Sequence, residues 1–446
     1  MGLGLHGGGL ASALFFAARN ACVTVTDLQN EDVLKPTLDK LKDYPVRFVL
    51  GRHEESDFQN ADLIIKNPGV PANSPFLAIA RDSDVLIETD ISIFLALSNN
   101  PVMAVTGSKG KSTTASALYF SLSSMYPETK LGGNITVSPL TFLESLSPEA
   151  WVVLELSSWQ LADLDTKNCL KPRVSIITNI YPDHLNRYRN MNEYVRDKKI
   201  IYALQDSEDF SIFNKDNPYT PAFQKESCAH QLLFSAQRLA AHEDGAWIQN
   251  REGIIRFRGN TYTILPETTT IAGAHNRMNL LAAGTALFCS EIDPVNISST
   301  LAEFPGIEHR YEKVREINGI SYINDSAATI PHAVVEAVKT TAGPTVLITG
   351  GTDKNIDFTP YEKIAFRPQA IVLLAGTATE KIEALLCKHK ISYFGPFDNL
   401  ESAVNKASSC LHDDGTVLFS PGCASFGMFL NEFDRGRQFK KIVSSM

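Results

Sequence analysis

The stretch Pro101-Val-Met-Ala-Val-Thr-Gly-Ser-Lys-Gly-Lys-Ser-Thr-Thr114 limits what this chain can fold into more than any other. Its apolar run, Val102 to Val105, reads as a buried strand, a glycine-rich turn follows, and a helical pattern runs from Ser112 through Phe120. Strand, glycine loop, Lys-Ser and helix together describe a cradle for phosphate. Backbone N–H groups and the helix N-terminus face the anion, Lys111 adds a point charge, and the hydroxyl of Ser112 or Thr113 can reach Mg²⁺. Gly107, Ser108, Lys109 and Gly110 form the loop itself. The strict P-loop spacing asks for glycine where Val105 stands, so an ordinary strand-to-helix turn containing Gly-Lys-Ser is the alternative.

With 446 residues the chain is long enough for about three domains. A hydrophobic content of 44% and a charged content of 20% describe a globular protein with ample core. The net charge of −9 argues against a general nucleic-acid binder, although local lysines and helix ends can still hold a nucleotide. No run approaches the roughly 18 apolar residues of a membrane span. The start, Met1-Gly-Leu-Gly-Leu-His6, lacks the basic and apolar regions of a signal peptide. The seven cysteines are odd in number and scattered, without Cys-x-x-Cys, which fits free thiols in a reducing cytoplasm. A cytoplasmic monomer without nucleic-acid or membrane partners is expected.

Strands alternate with helices along the whole chain, which predicts an α/β protein with mostly parallel sheets. Three blocks are expected: 1–98, 99–305 and 306–446. Cys22–Asp27, Ala61–Lys66 and Val85–Glu88 read as strands of the first block, Trp151–Leu156 and Val174–Thr178 as strands of the second. The second also holds a helix near 192–204, a turn-rich region at 211–270 and a helix starting near Asn276. The α/β rhythm restarts at Ile320–Asn324, Val346–Thr349, Ala370–Ala375 and Thr416–Ser420. In open sheets of this kind ligands gather beyond the C-terminal ends of the strands.

Several polar groups fall at such ends. Gly2-Leu-Gly4-Leu-His-Gly7, with Asp27 further on, imitates a dinucleotide fingerprint but lacks the strand that should precede it. Leu5, His6, Gly7 and Asp27 could instead hold a nucleotide's sugar, phosphates or base; a plain glycine turn is the alternative. Glu155 closes one strand and is placed to bind a metal beside the phosphate loop, unless it is a buried glutamate paired with lysine. Ser157, Ser158 and Gln160 follow it as possible hydrogen-bonding groups for a substrate. Asp183 and His184 follow another strand end, where metal ligation by His184 competes with a structural role. Met191, Val195, Lys198 and Tyr202 share one helical face, so Lys198 points inward and Lys199 out. A buried lysine must pair, lose its proton or be modified. Spacing alone favours an ion pair, and a carbamate made with CO₂ is the other reading. Asn276 and Asn279 lie one turn apart at a helix start, suited to a purine edge or to helix capping.

Taken together these elements resemble the Mur ligase family along essentially the whole chain, and within it the branch that adds D-glutamate. The resemblance rests on Thr106-Gly-Ser-Lys-Gly-Lys-Ser112, Gly133-Asn-Ile135, Glu155-Leu-Ser-Ser158, Asn179-Ile-Tyr-Pro-Asp-His184, Tyr194 to Lys198 and Gly273-x-His-Asn276 with Asn279. It continues through His309-Arg310, Asn324-Asp-Ser-Ala-Ala-Thr329, Gly350-Gly-x-Asp-Lys354 and Ser420-Pro-Gly-Cys-Ala-Ser425. Ligases adding other amino acids typically carry an Asp-Tyr-Ala-His type segment in place of residues 324–329. The Asp-Asn-Pro-Arg of the diaminopimelate-adding type is matched only by Asp216-Asn-Pro-Tyr219, in the middle block and without its arginine.

The resemblance implies three domains: a Rossmann-like one for the UDP substrate, a P-loop ATPase-like parallel sheet for ATP, and a second Rossmann-like domain for the amino acid. It implies that ATP phosphorylates the carboxylate of UDP-MurNAc-L-alanine and that D-glutamate then displaces the phosphate. Lys111 would hold ATP phosphates, with Ser112 and Glu155 near one Mg²⁺. Glu155, His184 and a carbamylated Lys198 would hold a second. Asn276 and Asn279 would meet adenine, and Arg310 and Asp325 would close on ATP from the third block. Asn134, Ser157 and Gln160 would position the muramoyl substrate; Thr329, Lys354 and Ser425 would grip the D-glutamate carboxylates.

Three features depart from the family's pattern. Ala327 stands where some relatives carry lysine. Asn431-Glu432-Phe433 reverses the usual aromatic-then-acid order, so no aromatic glutamate contact is assigned. The family begins with a full apolar strand before its first glycine loop, so a start truncated at Met1 is expected. The competing function classes are a nucleotide hydrolase or phosphotransferase using the same cradle, and a non-catalytic nucleotide-binding module. Glu155, His184 and an inward Lys198 argue against the module, because binding alone needs no second metal.

Overall fold

The computed structural model describes residues 1–5, 7–135, 137–182, 188–353, 356–364, 366–425 and 427–446. His6, Asp183, His184 and Lys354 lie outside the described residues. The chain divides into two compact units, Met1–Phe304 and Pro305–Met446.

The first unit is built on a nine-stranded sheet. Its strands run Asn260–Leu265, Glu252–Phe257, Gly245–Gln249, His230–Ser235, Phe210–Asn214, Val174–Ile177, Val102–Thr106, Val152–Glu155 and Lys130–Gly133. From Gly245–Gln249 onward every pairing is parallel, and the remaining two strands form an antiparallel ribbon at the edge. The turn-rich region expected at 211–270 supplies that ribbon and the strands beside it. Val102–Thr106 and Val152–Glu155 are buried at every position, as strands packed on both faces must be. The chain leaves Val102–Thr106 for strands on one side and later returns to pair Val174–Ile177 on the other. That reversal of strand order opens a crevice at the strand ends, where the phosphate loop lies.

Residues of the first block form two short parallel pairs, Val23–Asp27 with Val46–Leu50 and Leu63–Ile65 with Leu86–Glu88. The first two residues bridge the pairs. The Gly2 N–H donates to Thr26 O at 2.8 Å, the Met1 amine donates to Ile65 O at 2.9 Å, and Asn67 N–H donates to Met1 O at 3.1 Å. Met1 and Gly2 thus link the two strand pairs just before the glycine motif. The block is tied to the helix Ser158–Leu164 by Lys66 Nζ, which donates to Asp163 Oδ2 at 2.6 Å, and to the turn after that helix by Lys167 Nζ, which donates to Glu88 Oε1 at 2.9 Å.

The second unit carries a six-stranded sheet in the order Glu312–Ile317, Ile320–Asn324, Gly415–Phe419, Thr345–Gly350, Ala370–Leu374, Phe394–Phe397. Only the first pairing is antiparallel. Gly415–Phe419, the last strand in sequence, inserts between Ile320–Asn324 and Thr345–Gly350. The C-terminal ends of these three strands therefore meet, and their loops carry the polar residues of this unit. The C-terminal helix Glu432–Ser445 packs on the same sheet through Phe439 and Val443.

Candidate active site

The phosphate loop leaves its strand at Thr106 and enters the helix Lys111–Met125 with Gly110 as N-cap, at φ 85°. Gly107 has φ 146°, and a Cβ there would overlap the Thr178 hydroxyl. A Cβ on Gly110 would overlap the Asn279 carboxamide. Both glycines are needed for the loop to seat against neighbouring elements, beyond their backbone conformation. Lys111 folds back over the loop, donating to Gly107 O at 2.9 Å and Ser108 O at 3.2 Å. Ser108 Oγ lies 2.9 Å from the Tyr194 hydroxyl.

Glu155 ends the strand beside the loop's own, opposite Val105 on one side and Gly133 on the other. It is 1% exposed. Its Oε1 accepts from Asn134 Nδ2 at 2.9 Å, and the Asn134 N–H donates to Glu155 O at 2.7 Å. Its Oε2 is buried and has no hydrogen-bond partner among the described residues. Among the described residues no lysine pairs with it, so the alternative for a buried glutamate is not found there. A buried carboxylate oxygen without a partner, beside an anion cradle, fits a hard divalent cation such as Mg²⁺. Among the described residues no three His, Cys, Asp or Glu side chains are grouped to hold a metal by themselves.

Lys198 sits in the helix Met191–Lys199 and is 1% exposed, with Val195 and Tyr202 buried on the same face. The helix tightens into a 3₁₀ turn at Ile200–Tyr202, shorter than the expected run to 204. Lys198 Nζ donates to Gly107 O at 3.0 Å and Thr106 Oγ1 at 3.2 Å, and lies 4.8 Å from the Tyr194 ring centroid. Lys199 points outward to Glu226, 2.7 Å away. Phosphate loop, Glu155 and Lys198 are thus one constellation around the C-terminal ends of adjacent parallel strands.

In the second unit Asp325 follows the strand Ile320–Asn324. Its Oδ2 accepts from Ser420 Oγ at 2.7 Å and its Oδ1 from the Tyr311 N–H at 3.1 Å. Arg310 is exposed on the turn so held, between His309 and Tyr311, whose φ values of 65° and 50° are left-handed and costly for such side chains. His309 O accepts from the Ala327 N–H at 2.9 Å. The loops after the three converging strands are stitched together: Gly422 N–H donates to Ala328 O at 2.8 Å, and Thr352 and Ala424 exchange backbone bonds of 3.0 Å. Thr329 and Ser425 lie on these stitched loops.

The Mur ligase middle domain matches residues 105–287, and the N-terminal domain described as Mur ligase MurD-like matches residues 1–88. The UDP-N-acetylmuramoylalanine--D-glutamate ligase of Roseiflexus sp. (strain RS-1) is 41% identical over 462 positions, spanning 100% of this chain and 97% of that protein. The protein of the same name from Treponema pallidum (strain Nichols) is 37% identical, spanning 99% and 96%. The chain belongs to the Mur ligase family, in its MurD-like branch. Solved Mur ligases share the fold. UDP-N-acetylmuramate-alanine ligase MurC from Thermotoga maritima aligns with a TM-score of 0.62 at 18% identity, over 100% of this chain and 98% of that one. MurF ligase from the same organism, in complex with ADP, aligns at 0.55 and 15%, over 96% and 97%.

Other expected site residues of this Mur ligase have local partners. Asp27 is buried and holds the first glycine loop, accepting from the Gly4 N–H at 3.0 Å and the Gln29 N–H at 2.9 Å. Leu5 is exposed. Ser157 and Gln160 form a capping box at the start of the helix Ser158–Leu164. The Ser-x-x-Gln spacing announces that box in the sequence. Asn276 is no helix cap: the N-cap is Gly273, and the Asn276 Nδ2 donates back to Ala272 O at 2.8 Å. Asn279 is buried against Gly110.

Two partners escaped the sequence reading. Asn134 pairs with Glu155 from a strand two positions away from the loop. Arg435, buried at 1%, donates from Nε to Ser326 Oγ at 3.0 Å, from Nη2 to Ser326 O at 2.8 Å and from Nη1 to Cys423 O at 3.1 Å. Its spacing with Phe439 and Val443, at i, i+4 and i+8, was the available signal, because it puts the arginine on the apolar face.

Burial holds the Asp325 carboxyl up at about 7, against opposing contributions from Ser420, the Tyr311 N–H and the Arg310 charge. An unfolded aspartate releases its proton near about 4, so between about 4 and 7 the folded chain binds the extra proton. This contribution to stability is complete below that window and is lost as pH rises through it. The Asp325→Asn variant keeps the shape without titrating. Its melting temperature minus that of the wild type should rise from about pH 4 to about pH 7 and then level off; a difference independent of pH would contradict this.

Proposed function

We propose that the chain is an ATP-dependent ligase joining D-glutamate to UDP-N-acetylmuramoyl-L-alanine, the reaction named for its relatives, in the supply of peptidoglycan precursors. It would work as a monomer in the cytoplasm; no helix among the described residues is long and apolar enough to cross a membrane. The observation that carries the reading is the buried Oε2 of Glu155, without a hydrogen-bond partner among the described residues, beside the phosphate loop. A fold that only bound its nucleotide would need no second metal, to which Glu155, His184 and Lys198 are proposed to contribute.

In this reading a carboxylate oxygen of the L-alanyl group attacks the γ-phosphorus of ATP. An acyl phosphate forms and ADP leaves. The D-glutamate amine then attacks the acyl carbon, the amide bond forms, phosphate leaves, and the amine gives up its proton. The first step brings anions together. Lys111, its head lying across the loop, and the N-terminus of the helix Lys111–Met125 oppose that repulsion, more strongly as the charge moves onto the transferring group. When bound, Mg²⁺ would neutralise phosphate oxygens and polarise them. Ser112 and Glu155 are the proposed holders of one ion, and Glu155, His184 and a carbamylated Lys198 of a second. Asn134, by fixing one Glu155 oxygen, leaves the other aimed for this duty.

Leu5, His6, Gly7 and Asp27 are the proposed contacts of the UDP group, with Asn134, Ser157 and Gln160 for the muramoyl part. Asn276, Asn279, Arg310 and Asp325 are proposed for ATP, and Thr329, Lys354 and Ser425 for D-glutamate. A dicarboxylate suits one cation and two hydroxyl donors.

Two measurements test this reading. Phosphate release should require ATP, UDP-N-acetylmuramoyl-L-alanine and an amino acid together, with D-glutamate preferred across a panel. Release without the amino acid, undiminished, would show a hydrolase instead. For Lys198, an ammonium would repel Mg²⁺, whereas a carbamate reverses the sign and supplies oxygen. Lys198→Ala should lower turnover by about a hundredfold or more, with partial rescue by a short-chain carboxylic acid. Near-normal turnover of that variant at saturating Mg²⁺ would contradict the carbamate.

A further inference from the structure

Asn179 has no part in the roles assigned above, yet it grips the phosphate loop with three hydrogen bonds. It lies two residues past the strand Val174–Ile177. Its backbone carbonyl accepts from the Ser108 N–H at 2.8 Å. Its side-chain Oδ1 accepts from the Lys109 N–H at 2.8 Å, and its Nδ2 donates to Lys109 O at 2.9 Å. One carboxamide therefore satisfies both the donor and the acceptor of a single loop residue. Aspartate, of the same size, has no donor for the carbonyl, and alanine has neither group. The Thr178 hydroxyl adds a bond of 2.6 Å to the same carbonyl.

An anion cradle works through the N–H groups it leaves uncommitted. Asn179 takes up those of Ser108 and Lys109. The set offered to an anion then begins at the N-cap, Gly110, where the first N–H groups of the helix Lys111–Met125 have no intrahelical partner. We propose that Asn179 is a positioning residue that sets the register of the cradle. It commits the first half of the loop to the protein, so that the helix N-terminus meets the phosphates of a nucleoside triphosphate. The inference rests on the ATP-binding reading of this loop, and that reading is tested separately by the wild type.

The experiment is calorimetric binding of ADP to the full chain, with melting temperatures and substrate KM values alongside. Asn217 is the control, because its Nδ2 supports the same segment at Ile180 O, 3.0 Å away, without touching the loop. Wild type should bind ADP. Asn179→Ala should bind it about tenfold more weakly, the loss expected for one or two hydrogen bonds that fix a binding loop. Asn179→Asp should lose more, because its carboxylate removes the donor to Lys109 O and adds a negative charge beside the bound phosphates. It also serves where the alanine variant does not fold. The KM for ATP should rise in step, while the KM values for the other two substrates stay within about twofold. Asn217→Ala should lower the melting temperature and leave ADP affinity unchanged. Wild-type ADP affinity in Asn179→Ala, whatever its melting temperature, would overturn the inference and leave the ATP reading standing. Equal losses for all three substrates would also overturn it, by showing general damage. Absence of ADP binding by the wild type would overturn both.

Discussion

A missing side chain at Gly107 lets the phosphate loop lie flat against the end of the neighbouring strand. Any Cβ there would occupy the space of the Thr178 hydroxyl, and the same is true of Gly110 against Asn279 and of Gly133 against the Glu155 carbonyl. Gly107 and Gly133 stand at the ends of parallel strands, and Gly110 opens the helix against a buried carboxamide. The close approach brings the Lys111 ammonium, the open Glu155 oxygen and the inward Lys198 to adjacent strand ends. Sites built on strand ends inherit the rigidity of the sheet, which is what a reaction between anions requires of its cationic groups.

The second unit solves a similar problem with polar side chains. Its last strand inserts between two earlier ones, and the three loops that result must be held together. Asp325 does so through Ser420 and the Tyr311 N–H, and Arg435 through Ser326 and Cys423. Burial costs both: Asp325 is held up at about 7, and the Arg435 guanidinium is pushed down to about 10. Groups so costly to bury are tolerated when every bond they make is satisfied, and their removal leaves several backbone carbonyls and hydroxyls without partners.

Much of this was legible in the sequence because it is local. The phosphate loop is contiguous, and the inward direction of Lys198 follows from spacing on one helix. The alternation of strands and helices gave the parallel sheets, and the capping box at Ser157 and Gln160 was readable, although those residues read as substrate contacts. What the sequence concealed is pairing across long separations. Asn134 meets Glu155 because their strands are neighbours, a fact of strand order that no window around either residue contains. Asn179 and Lys109 are likewise brought together by the sheet. Arg435 was hidden by chemistry, since an arginine ordinarily marks a solvated face and only its register with Phe439 and Val443 says otherwise. Met1 and Gly2 link two strand pairs although they are too short to be read as a strand.

We propose that the buried Oε2 of Glu155, without a hydrogen-bond partner among the described residues, is one side of a cation site completed at the phosphate loop. Electron paramagnetic resonance of Mn²⁺, used in place of Mg²⁺ and titrated into the chain with ADP present, measures this directly. The wild type should take up the ion with the nucleotide. Glu155→Gln should bind it at least about tenfold more weakly, with ADP binding in the absence of metal unchanged. Equal Mn²⁺ affinity in the two proteins would contradict the claim and return Glu155 to a purely structural role.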